Sequence, residues 1–193
     1  MGMKTKICSV VSGVLLFWCL SAEAHTGAGA VHYFVDGVLH PLQGADHLLV
    51  MIAIGLSAAM IGGRALWLLP GIFLVMMMAG AGLHVAGLTI NSAETWVALS
   101  VLMSGVMVWR QRQLPIAFAA SLAALFALSH GYVHAVEAGS SLTSYAAGFL
   151  MTTAVLHGIG IGMGLLSGVK LTMIRIIFAM ACTVVGTSLL AGI

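Results

Sequence analysis

The chain reads as long apolar runs separated by short breaks rich in glycine, serine or charge. Gly62-Gly63-Arg64 divides a run over about 43–61 from one over 65–86, and Gly87 to Ser92 divides the second from a third over 93–109. Arg110-Gln111-Arg112-Gln113 stops the third, and Pro115 opens a fourth over 114–136 at a first-turn position where its missing N–H is harmless. Glu137 to Ser141 leads to a fifth run over 142–166, and Ser167 to Lys170 to a sixth over 171–191. Runs of about 20 apolar residues match a hydrocarbon core ~30 Å thick. The pattern therefore predicts an all-α, polytopic membrane protein with a bundle of six transmembrane helices.

A shorter apolar stretch, Ile7 to Leu20, follows Lys4 and Lys6 and ends in Ser21-Ala22-Glu23-Ala24, a small-x-small site of the kind a signal peptidase cuts. About 14 apolar residues are too few to anchor comfortably across the bilayer. The expected division is a signal peptide over 1–24 and a six-helix transmembrane domain over 25–193, the mature chain starting at His25 outside the cytoplasm. Cys8 and Cys19 would leave with the leader, so Cys182 would have no partner for a disulfide or a thiolate metal cluster. Bulky Leu16-Phe17-Trp18 before Cys19 argues against lipidation.

Composition sharpens this picture. Of 193 residues, 61% are hydrophobic and 6% charged, against roughly 25% charged in soluble domains, which excludes a water-soluble domain. A net charge of +2 without any basic cluster excludes nucleic-acid binding. The five Lys/Arg beyond the leader are Arg64, Arg110, Arg112, Lys170 and Arg175. All fall in or beside the first, third and fifth turns, which the positive-inside rule places in the cytoplasm. Leader and charge bias thus agree on one topology. Gly80, Gly82, Gly158, Gly160, Gly162 and Gly164 suit close helix packing, with helix bending as a second reading.

Ionisable side chains inside a membrane are functional candidates by default, and here they gather towards one side. His40, Asp46 and His47 lie at the outer end of the first span, His84 near the outer end of the second, and Glu94 at the start of the third. His130, His134 and Glu137 occupy the outer third of the fourth at i, i+4 and i+7, one stripe on one face. These groups sit at comparable depth and are expected to share one vestibule. Asp46 and His47 are adjacent, about 100° apart around a helix, and Pro41 with Gly44 favours a bent first turn that lets both reach a common centre. His157 lies deeper, roughly 22 Å into the fifth span, and reads either as a core histidine bonded to a backbone carbonyl or as an inner relay. At the mature terminus, His25 would pair an α-amine with its imidazole, and His32, Asp36 and His40 would continue a stripe towards the vestibule if that segment is helical.

Mixed imidazole and carboxylate ligands suit nickel, cobalt or zinc, whereas all-oxygen cages favour magnesium or calcium and sulfur favours copper(I). Met76-Met77-Met78 points in three directions around a helix and reads as packing or lipid-facing methionine. These residues leave two readings open, a divalent-metal membrane protein and a membrane haem protein with axial histidines. An intramembrane metallohydrolase lacks its His-Glu-x-x-His element.

The segment His40-Pro41-Leu42-Gln43-Gly44-Ala45-Asp46-His47 resembles the first-span H-P-x-x-G-x-D-H signature of the HupE/UreJ family of nickel permeases. His130-Gly131-Tyr132-Val133-His134-Ala135-Val136-Glu137 resembles that family's H-G-x-x-H-x-x-E motif, and the likeness runs from the leader to the last helix. Ala135 stands where many relatives have glycine, and no proline precedes Glu94. The resemblance implies uptake of Ni²⁺, alternatively Co²⁺, as transported substrate with no tightly bound cofactor and no enzymatic activity. It further implies a bacterial inner-membrane location and a link to hydrogenase or urease maturation.

Overall fold

The computed structural model describes residues 34–110, 114–138, 142–166 and 168–192, the Glu137 side chain excepted. The expected leader, His25, His32 and Arg112 lie outside the described residues. Within them the fold is all-α, with seven helices: α1 Phe34–Gln43, α2 Ala45–Ile61, α3 Ala65–Val85, α4 Ala93–Arg110, α5 Ile116–Glu137, α6 Leu142–Gly164 and α7 Gly168–Ala191. Four of them, α3, α5, α6 and α7, are long and apolar enough to cross a bilayer, and α1 with α2 would together make a fifth, broken span.

The broken pair departs from the single run expected over 43–61. A separate helix covers 34–43, and the chain turns by 84° into α2. The cause is local. Gly44 takes an extended backbone conformation, φ −97° and ψ 124°, between the two helices. A Cβ there would crowd the Asp46 carboxylate and the His47 imidazole, which fold back over it. The Gly44 carbonyl then accepts the Leu48 N–H at 3.1 Å, starting α2 without a side-chain cap.

Helix α2 is the centre of the molecule. It touches α1, α3, α4, α6 and α7, and every residue from Ala53 to Ala58 is buried, as expected of a helix apolar on all sides. The outer helices instead expose large apolar side chains, among them Trp67, Val75, Phe118, Val155, Ile159 and Met180. In lipid, apolar burial gives little drive for helices to associate, so close backbone approach has to supply the contact. Gly80 of α3 and Gly131 of α5 do this reciprocally: a Cβ on either would collide with a carbonyl of the other helix, Leu128 or Met77. Gly160 and Gly164 are likewise pressed against α2, while Gly82, Gly158 and Gly162 face open space. The packing reading therefore holds for half of the glycines named above. Of the methionine triplet, Met77 is buried and Met78 exposed, as three directions around one helix require.

Contacts between helices also set direction. Met51 meets Thr153 and Leu56 meets Gly164, so α2 and α6 run parallel; Gly80 with Leu128 and His84 with Tyr132 make α3 and α5 parallel too. Combined with the short turns, this gathers Arg64, Arg110, Lys170 and Arg175 at one end of the bundle. Arg175 bonds the Val108 and Trp109 carbonyls at 3.2 and 2.9 Å, closing the exposed last turn of α4. The starts of α2, α4 and α6 share the opposite end.

Candidate metal site

The break at Gly44 has a chemical consequence. It brings His40, on the last turn of α1, over His47, on the first turn of α2, with ring centroids 5.3 Å apart. Helix α5 supplies His134, whose ring lies 4.8 Å from His40 and 4.3 Å from His47. One nitrogen from each of the three rings lies within 4.8 Å of the other two. Imidazoles bind a divalent ion at about 2.0–2.1 Å, so small side-chain adjustments can bring this group around a single cation. His47 and His134 meet through their Nε2 atoms.

Asp46 completes the arrangement from outside. Its carboxylate accepts a hydrogen bond from His47 Nδ1 at 2.6 Å, which leaves His47 Nε2 as the lone pair facing His40 and His134. A carboxylate behind an imidazole is the usual way to fix a metal-binding tautomer and ring orientation. Adjacent residues 46 and 47 thus act in series, one behind the other, and do not approach the centre from two sides. Phe149 of α6 lies 4.8 Å from the His134 ring, and Tyr145 lies 5.8 Å from His40. An apolar cleft lined by Met77, Ala81, Gly131 and Leu150 reaches His134 from between α3, α5 and α6.

The remaining sequence candidates occupy other places. His130 is buried one turn below His134, its ring 5.2 Å from His47, but its Nε2 bonds Ser100 at 2.9 Å. His157 bonds the Met51 carbonyl through Nδ1 at 2.7 Å. His84 packs edge-on against Tyr132, 5.6 Å away, on another face of α5. Glu94 is exposed on the first turn of α4, where a carboxylate favours the helix dipole. Asp36 is exposed on the first turn of α1. Neither His84, Glu94 nor Asp36 joins the three-histidine group. Glu137 ends α5 one turn beyond His134. Ser100, Phe149 and the Met51 carbonyl were not singled out from sequence; only Ser100, a hydroxyl inside an apolar run, offered a signal.

A family model for the HupE / UreJ protein matches residues 14–189. The chain belongs to the HupE/UreJ family. It is also 40% identical over 148 residues to Protein HupE of Rhizobium leguminosarum bv. viciae, covering 74% of this chain and 75% of that one. No solved structure matches. HupE/UreJ proteins form a family of nickel and cobalt transporters, not of enzymes, and the clustered histidines lie on the motif residues that carried the resemblance.

Proposed function

We propose that this HupE/UreJ protein carries Ni²⁺, and Co²⁺ as its nearest competitor, from the periplasm to the cytoplasm across the bacterial inner membrane. The observation that carries the reading is the convergence of His40, His47 and His134 from three helices, with Asp46 behind His47. In this proposal the broken pair α1–α2 counts as one span and α4 as another, giving six. The end of the bundle with Arg64, Arg110, Lys170 and Arg175 faces the cytoplasm. The three-histidine group then opens outward, where it captures the ion, and His130 lies one turn further along α5 from His134. The leader is removed, and the delivered metal serves hydrogenase or urease maturation.

Nitrogen-rich ligands set the selectivity. Mg²⁺ prefers oxygen and holds its water, whereas Co²⁺, Zn²⁺ and Cu²⁺ accept imidazole readily. The test is ⁶³Ni²⁺ influx into proteoliposomes of the purified protein with competing ions outside. Inhibition by equimolar Co²⁺ and indifference to a large excess of Mg²⁺ is the expected result. Influx blocked by Mg²⁺ and indifferent to Co²⁺ would contradict the reading.

A further inference from the structure

Below the three-histidine group, two buried imidazole nitrogens lack a hydrogen-bond partner among the described residues: His130 Nδ1 and His157 Nε2. The bond made by the opposite nitrogen of each ring fixes both as lone pairs. Ser100 Oγ donates its single hydrogen to the Val97 carbonyl at 2.6 Å, so the 2.9 Å contact with His130 Nε2 is donated by the ring. His157 Nδ1 faces the Met51 carbonyl, which can only accept, so that nitrogen carries the proton. The rings are 0% and 1% exposed. Native proteins keep few buried acceptors unpaired, and those that persist call for a reason.

Their placement supplies one. The His130 ring lies 5.2 Å from His47 of the outer group. Phe73, itself fully buried, lies 6.2 Å from His130 and stands edge-on to His157 at 5.1 Å. Outer group, His130, Phe73 and His157 therefore follow one another into the bundle. Neither His130 nor His157 belongs to the set whose ligand atoms lie within 4.8 Å, so neither serves the outer group as a simultaneous ligand in this arrangement.

We propose that His157 Nε2 is an inner station for the transported divalent cation, reached from the outer group through His130 Nδ1 past the Phe73 ring. This rests on the transport reading above. A single imidazole nitrogen at each step is a weak ligand, and a conducting path needs sites that bind enough to admit the ion and release it readily. The hydrogen bonds to Ser100 and Met51 keep each accepting nitrogen unprotonated and oriented, as a carboxylate does for His47.

The decisive variant is His157→Asn. Its side-chain amide can keep the N–H bond to the Met51 carbonyl but has no counterpart of Nε2. Equilibrium dialysis of ⁶³Ni²⁺ against the detergent-solubilised full chain reads the outer group, and influx into proteoliposomes reads the path. His157→Asn should bind Ni²⁺ as the wild type does, while influx falls about tenfold or more. His157→Gln, which also lacks the nitrogen lone pair, should behave alike and covers the case in which the first variant does not fold. Wild-type influx in either folded variant overturns the proposal. So does loss of binding together with influx in both, because His157 would then support the outer group itself. Failure of the outer-group reading shows separately, as a wild type that binds no Ni²⁺ or a His134→Ala variant that binds it equally well.

Discussion

Asp46 is adjacent to His47 in sequence but stands behind it in the site, where it accepts the Nδ1 proton and turns Nε2 towards His40 and His134. Removing such a support typically weakens metal affinity 10–100-fold. Asp46→Ala should therefore lower Ni²⁺ affinity by about that factor, measured by equilibrium dialysis on the purified protein, with membrane insertion unchanged. Unaltered affinity would show that His47 needs no carboxylate. At this scale the sequence was informative about residue types and poor about directions. His40, Asp46, His47 and His134 stood out because ionisable groups are rare in apolar runs, and their depth follows from counting residues along a helix. Depth alone could not separate His134 from His84. Each lies near the same end of its helix, but His134 faces α1 and α2 while His84 packs on Tyr132. Which way a side chain points around its helix depends on the neighbour that the helix packs against. The bond of His130 to Ser100 was hidden for the same reason, whereas a backbone-carbonyl bond was one of the two readings of His157 and only its partner, Met51, went unnamed.

Among the elements, the break between α1 and α2 matters most, because without it His40 would lie on a straight helix almost two turns above His47. Pro41 and Gly44 announced a bend; its 84° size and the helix preceding it were not legible, since both depend on how α1 packs on α6. The other five helices begin and end within a few residues of the breaks in the apolar pattern. Glycine roles divided only in three dimensions. A Cβ at Gly80 would strike the Leu128 carbonyl, whereas one at Gly82 meets nothing within 4 Å. Overpacking of this kind costs typically 1–3 kcal/mol. Thermal unfolding of the detergent-solubilised protein should show Gly80→Val clearly destabilised by about that amount and Gly82→Val close to wild type. Equal effects of the two would argue against the close α3–α5 contact.

For the molecule as a whole, the parallel pairs α2–α6 and α3–α5 gather the basic turns at one end, where the charge bias in the sequence had also put them together. Their assignment to the cytoplasm can be tested with single cysteines at exposed Leu88 and Leu165, which lie at opposite ends of the bundle, since Cys182 is buried. In intact cells, a membrane-impermeant maleimide should label Leu88→Cys, and Leu165→Cys only after lysis; the reverse pattern would invert the proposed orientation. The central claim is that ions are captured at the three-histidine group for inward transport. It is tested most directly by ⁶³Ni²⁺ accumulation in cells expressing wild type or His134→Ala at equal membrane abundance. Loss of one of three chelating nitrogens should reduce accumulation about 10–100-fold, towards the level of cells lacking the protein. Accumulation by His134→Ala equal to that of the wild type would contradict the account.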